Sequence, residues 1–267
     1  MKKTILLTGA TDGIGLATAK ALASQGHDLL LHGRNPEKLA AAEAVVSAVP
    51  GAAGVAGYLA DLASMKAVAL LAEAVICGHP SLDVVINNAG ILKTPDPGTP
   101  DGLDIRFAVN TLAPYLRTKR LLPALGSAGR VVNLSSAAQA PVDLEAVRGQ
   151  VRLDDMAAYA QSKIALTMWS RAVALQESGK VIVVVNPGSL LTSKMVQEGF
   201  GVAGGDIGIG ADILTRAALS DEFATATGLY FENDAGRFGL PHLDALDGTK
   251  AAPLPQVMDS ILADLSR

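Results

Sequence analysis

The chain has 267 residues, with 22 Lys and Arg against 26 Asp and Glu, and is 49% hydrophobic but only 4% aromatic. The length suits one α/β domain, and helices packed on a buried parallel sheet suit a chain rich in Ala, Leu and Val better than an aromatic-rich sandwich does. A net charge of -4 offers no basic stripe to nucleic acid, and no apolar run approaches the roughly 18 residues of a membrane span.

From the N-terminus, Thr4 to Thr8 reads as a first strand; Thr8-Gly9 ends the apolar stretch too early for a secretory signal. Further strands are expected over Leu29 to His32, Val55 to Ala60, Val84 to Asn87, Val131 to Ser135 and Val181 to Asn186, each apolar inside. Helical spacing runs between them, over Ile14 to Ser24, Glu37 to Val49, Met65 to Ile76, Leu103 to Leu125 and Ala157 to Glu177. Gly228 to Phe231 reads as a late strand and Gln256 to Leu265 as an amphipathic helix. Strand and helix in alternation imply right-handed crossovers and a doubly wound α/β sheet of about seven mainly parallel strands. No linker or repeat divides the chain, so residues 1–267 read as a single domain. Ligands then belong at the carboxyl ends of the strands, where strand order reverses. Cys77 is the one cysteine, which excludes an internal disulfide and a thiolate metal cluster, suits a reducing cytoplasm, and reads as a small buried hydrophobe.

The first strand runs into Thr8-Gly9-Ala10-Thr11-Asp12-Gly13-Ile14-Gly15 and then a helix. Three glycines at that junction let backbone amides and the helix dipole approach a pyrophosphate, which implies a dinucleotide. The second strand ends at His32-Gly33-Arg34-Asn35 rather than in a carboxylate. A guanidinium there favours a 2′-phosphate, so Arg34 argues for NADP(H) over NAD(H); Asp12, a negative charge in the glycine turn, pulls the other way.

These residues resemble the short-chain dehydrogenase/reductase family in its compact form, and the resemblance covers nearly the whole chain. The family's TGxxxGxG matches Thr8, Gly9, Gly13 and Gly15, its NNAG matches Asn87-Asn88-Ala89-Gly90, its YxxxK matches Tyr159 and Lys163, and its Pro-Gly turn matches Asn186-Pro187-Gly188. The resemblance implies cofactor contacts from Thr11, Ile14 and Asn35 beside the glycine turn, from Asp61 and Leu62 at the adenine, from Asn88, Ala89 and Gly90, from Pro187 and Gly188, and from Thr192 at the carboxamide. It also implies a catalytic set of Asn110, Ser136, Tyr159 and Lys163, and pairing of subunits into homodimers or homotetramers.

Reducing a carbonyl needs a proton delivered to oxygen as hydride reaches carbon, and a tyrosine with its usual pKa near 10 is a sluggish base at neutrality. Tyr159 and Lys163 lie four apart in a helical segment, so both face one side, and the ammonium is expected to lower the phenol pKa and to hold the nicotinamide ribose. Ser135 and Ser136 both close the fifth strand, where a hydroxyl can orient substrate oxygen; the family pattern selects Ser136, with Ser135 the alternative. Asn110 falls inside a helical pattern, which points to a local bend held by its amide.

Between Ser136 and Tyr159 the chain is longer than the short family pattern. The extra residues, Gln139 to Asp155, resemble those of retinol-dehydrogenase-like members and are expected at the substrate mouth with loops 94–102 and 190–210. His27, His32, His79 and His242 lack metal-ligand spacing and read as surface or loop, with no metal assigned. The leading function is an NADP(H)-dependent oxidoreductase for a small or mid-sized apolar carbonyl or alcohol; the alternative is a dinucleotide-binding sensor on the same fold without turnover.

Overall fold

The computed structural model describes residues 1–189, 191 and 205–266. Eight strands form one sheet in the order β3-β2-β1-β4-β5-β6-β7-β8: β1 Thr4–Thr8, β2 Asp28–Gly33, β3 Val55–Leu59, β4 Leu82–Asn87, β5 Leu125–Leu134, β6 Val181–Asn186, β7 Tyr230–Glu232 and β8 Arg237–Gly239. All neighbours are parallel except β7 and β8. The eighth, antiparallel strand was not expected from sequence; its three residues, Arg237-Phe238-Gly239, are too few to show a period of two.

Because side chains alternate across a strand, the sheet feeds two cores. Leu6, Leu30, Val85, Val131 and Ile182 pack under α3 Met65–Gly78, α5 Ala113–Leu121, α7 Asp155–Gln176 and α9 Pro253–Leu265. Ile5, Leu7, Leu29, Leu31, Ile86 and Val183 pack under α1 Gly13–Ala23, α2 Pro36–Ser47 and α8 Ile207–Leu219. Full burial of one such side chain stabilises by roughly 1.5–3 kcal/mol, so these two faces dominate the energetics. Edge strand β3 departs from the apolar expectation, with Leu59 57% exposed. Polar N-caps start the helices: Asp12, Asn35, Ser64, Asp154 and Asp206 each accept from a first-turn amide.

The single helix expected over Leu103 to Leu125 is a succession. Asp104 caps the short α4 Ile105–Phe107, a π-turn spans Ala108–Leu112, α5 follows, and a 3₁₀ turn Leu122–Ala124 leads into β5. The Gln139 to Asp155 segment contains the short α6 Leu144–Val147, and Ala146 and Val147 are fully buried. It is therefore part of the core. Gly149, at φ +78°, sits so close to loop 94–102 that a Cβ would lie 2.4 Å from the Gly102 carbonyl. Arg106, itself buried, fastens the two segments by pairing with Asp104 at 2.5 Å and with Asp155.

Two sequence expectations are corrected here. Cys77 is exposed near the end of α3, where the apolar stripe has turned away. His27 and His32 are buried, because one follows the turn into β2 and the other is the penultimate residue of that strand.

Candidate active site

The sheet order reverses between β1 and β4, and the glycine turn lies at that point. Gly9 and Gly13 have φ of +65° and +57°, a region closed to most side chains. A Cβ on Gly15 would lie 2.1 Å from the Gly9 carbonyl and 2.6 Å from Asn88 Nδ2. The reason is a lock between two motifs. Asn88 Nδ2 donates to the carbonyls of Thr8 at 2.8 Å and Gly9 at 3.1 Å, while the Asn88 and Ala89 amides donate to Thr8 Oγ1 at 3.1 and 3.2 Å. Thr11 closes against Gly33, where a Cβ would lie 2.5 Å from its Cγ2. Among the described residues the Asp12 carboxylate accepts from Gly13 N alone, at 2.7 Å, which leaves the Ile14 and Gly15 amides of the first turn available to an anion.

His32 is a residue that sequence reasoning misplaced. Gly9 N donates to its Nδ1 at 3.3 Å, so Nε2 carries the proton and donates to the Ala60 carbonyl at 3.1 Å. Burial first, and the Arg117 charge second, push its pKa down to about 4. Arg117 is a residue that sequence reasoning passed over: buried, and with no carboxylate partner among the described residues, it donates through Nε and Nη2 to Asn87 Oδ1 at 3.1 and 2.5 Å, leaving Nη1 without a partner. Burial lowers its pKa to about 9, which still leaves it charged at neutrality. Asn87 in turn donates to Asn133 Oδ1 at 2.6 Å, and Asn133 to Ser170 Oγ at 2.8 Å. Asn133, a polar residue inside the apolar run of β5, was the available signal for this buried layer.

Arg34 and Asn35 follow β2. Asn35 caps α2 by accepting from Lys38 N at 2.8 Å, and Arg34 is exposed with no hydrogen bond or ion pair among the described residues. Asp61 accepts from Ala63 N at 3.0 Å beside the buried Leu62. Pro187 is buried and Gly188 has φ +121° after β6. Thr192 lies outside the described residues, as does most of loop 190–210.

Ser136, Tyr159 and Lys163 meet at the carboxyl end of β5. The Ser136 hydroxyl lies beside the Tyr159 phenol, and Lys163 Nζ lies 5.7 Å from the Tyr159 ring centroid, so both helix residues face one side. Lys163 Nζ donates to the Leu134 carbonyl at 2.8 Å. Burial pulls its pKa down to about 8. The expected lowering of the phenol pKa is not the net result: burial raises it, and the nearby Ser136 hydroxyl offsets only part. Ser135 is engaged elsewhere, with its Oγ 3.2 Å from the Lys163 carbonyl and 3.0 Å from Thr167 Oγ1.

Asn110 sits in the π-turn. Its Oδ1 accepts from Ile91 N at 2.8 Å, and its Nδ2 donates to the Ile91 carbonyl at 2.9 Å and to Ser162 Oγ at 2.9 Å. That clamp holds the chain just after Gly90 and explains why the helix bulges there. Among the described residues no group of three candidate ligands could hold a metal.

Residues 3–200 match the family model of the short chain dehydrogenases. The chain belongs to the short-chain dehydrogenase/reductase family. It is 32% identical to "Retinol dehydrogenase 13" of Homo sapiens over 251 residues, covering 86% of this chain and 76% of that one. It is 30% identical to "Short-chain dehydrogenase TIC 32 A, chloroplastic" of Brassica napus, covering 85% and 79%. Among solved structures, a putative uncharacterized protein from Mycobacterium Paratuberculosis superposes with a TM-score of 0.80 at 27% identity, covering 98% and 93%. A short chain dehydrogenase from Burkholderia cenocepacia J2315 in complex with NADP superposes with a TM-score of 0.68 at 28% identity, covering 86% and 95%. As a short-chain dehydrogenase/reductase the protein is an oxidoreductase on a fold that binds a nicotinamide dinucleotide. No helix among the described residues is long and apolar enough to cross a membrane.

Proposed function

We propose that this short-chain dehydrogenase/reductase is an NADP(H)-dependent reductase of carbonyl groups on small to mid-sized apolar molecules, with Tyr159 as its proton donor. The observation that supports this best is the meeting of Ser136, Tyr159 and Lys163 near a tight glycine turn that opens a helix N-terminus, a geometry suited to a pyrophosphate. The turn from Thr8 to Gly15, with Asn88, Ala89 and Gly90, would hold the dinucleotide; Asp61 and Leu62 would border its adenine, and Pro187, Gly188 and Thr192 its far end. Arg34, exposed and unengaged at the end of β2, would bind the 2′-phosphate together with Asn35. The bound cofactor supplies the hydride.

The chain's own groups then handle the proton. A buried phenol whose pKa is raised stays protonated at neutrality and so suits an acid that protonates carbonyl oxygen. The Ser136 hydroxyl would orient that oxygen, and the Lys163 ammonium would stabilise the phenolate left after transfer. Asn110 would keep the Gly90–Ile91 backbone in place. An exposed free thiol at Cys77 fits a reducing compartment such as the cytoplasm, and a homodimer or homotetramer remains the expected assembly.

Tyr159→Phe tests the assignment. NADPH oxidation with a panel of aldehydes and ketones should fall by about 10²–10⁴-fold, while NADPH titration gives wild-type affinity. If the wild type turns over none of the panel yet binds NADPH, the dinucleotide sensor becomes the better reading; tighter binding of NADH than NADPH would remove Arg34 from its role.

A further inference from the structure

The Ser136 backbone carbonyl is held from two sides, by a side chain three residues on and by one remote in sequence. Gln139 Nε2 donates to it at 2.9 Å, and the Tyr230 hydroxyl lies 3.3 Å away. The same Gln139 nitrogen is 3.3 Å from the Tyr230 oxygen, so the three groups form a closed triangle. Gln139 is oriented by its other end, where Oε1 accepts from His242 N at 3.4 Å. Tyr230 is 3% exposed, and among the described residues its hydroxyl also meets Glu232 Oε2 at 3.5 Å.

The Ser136 hydroxyl, meanwhile, accepts from Ala138 N at 3.1 Å and reaches Tyr159. With the carbonyl held and Oγ tied to Ala138 N, both the Ser136 peptide and its side chain are restrained. The strand that supplies Tyr230 also fixes the turn after β6. Asn186 Nδ2 donates to Glu232 Oε1 at 2.6 Å, Asn233 Nδ2 to the Pro187 carbonyl at 2.9 Å, and Ser189 Oγ to Asp234 Oδ2 at 2.6 Å. One short strand thus sets both the serine and the Pro187–Gly188 turn. Two side chains converging on one carbonyl exceed what the strand end needs for stability, since one donor satisfies it.

We propose that Tyr230 and Gln139 are positioning residues for the reaction, holding the Ser136 carbonyl so that its hydroxyl stays aimed at the Tyr159 phenol. This rests on the acid–base role assigned to Tyr159. Lys163 on the same helix, Glu232 on β7 and Asp234 just after it are the charged groups at this corner.

Tyr230→Phe and Gln139→Met keep volume and length while removing the polar contacts. Each should lower kcat for carbonyl reduction by about three- to tenfold with the cofactor KM within about twofold. The pH midpoint assigned to Tyr159 should rise by about half a unit to one unit. Amide hydrogen exchange at Ala138, which reports the Ser136 rotamer directly and needs no turnover, should speed up by about tenfold. A wild-type Ala138 exchange rate in both variants overturns the proposal even if activity or melting temperature falls. A wild type inert toward every carbonyl tested would instead sink the proposed function, and the Ala138 measurement would still decide this inference.

Discussion

Acidification should expose the His32 strut between the glycine turn and the end of β3. Its imidazole is neutral in the folded protein down to about pH 4, against an ordinary value of 6.5. Above pH 6.5 it is neutral in both folded and unfolded chains and contributes no pH dependence. As pH falls from 6.5 toward 4 the unfolded chain takes up a proton that the folded chain refuses, so stability declines across that window and levels off below it. A difference of about 2.5 units at about 1.4 kcal/mol each corresponds to roughly 3 kcal/mol. That is a large share of a typical folding free energy of about 5–15 kcal/mol. Carboxylates titrate in the same range, so the assay is a difference. Urea unfolding midpoints are followed from pH 7 to pH 4 for wild type and His32→Gln, whose amide can still donate to the Ala60 carbonyl. The wild type should lose about 3 kcal/mol more than the variant. Parallel curves would refute the reasoning, because they would mean that the ring becomes charged in place or that the Gly9 contact does not select its neutral form.

Gly15→Ala should abolish measurable NADPH binding in a titration, because its Cβ would sit 2.1 Å from the Gly9 carbonyl in a backbone that Asn88 holds in place. Arg34→Ala should weaken NADPH by about tenfold and leave NADH within about twofold, read by fluorescence titration of the two cofactors. Arg106→Leu should cost about 2–3 kcal/mol in urea unfolding, since Asp104 loses its partner in a half-buried setting while the more exposed Asp155 can turn to water.

Much of this was legible because two periodicities and one junction carry it. Strands β1, β2, β4 and β6 are apolar on both faces, the pattern of a doubly covered sheet, and their ends lie within one or two residues of the expected ones. The pairing of Asn88 with the glycine turn follows once both motifs sit at adjacent strand ends. The bulge at Asn110 could be anticipated as a bend but not as a π-turn, because what selects it is a clamp on Ile91, 19 residues away. His32 and Arg117 were read wrongly or passed over for a related reason. A histidine two residues before an arginine suggests a strand end in water, whereas here it lies beneath the turn and exchanges hydrogen bonds across the sheet. Arg117 occupies a helical position that periodicity assigns to the core, and a buried guanidinium answered by an asparagine has no sequence pattern of its own. The sign of the Tyr159 shift was missed because spacing reports the nearness of a charge but not the loss of solvent around both groups.

The exposed thiol at Cys77 has a practical corollary. Helix α3 returns antiparallel to the strands, so its last turn lies at the opposite end of the sheet from the glycine turn. The chain has one cysteine and one tryptophan, the latter at position 169 and wholly enclosed by the core. A maleimide dye on the first and the indole of the second would form a native energy-transfer pair, following loss of tertiary packing without any engineered mutation.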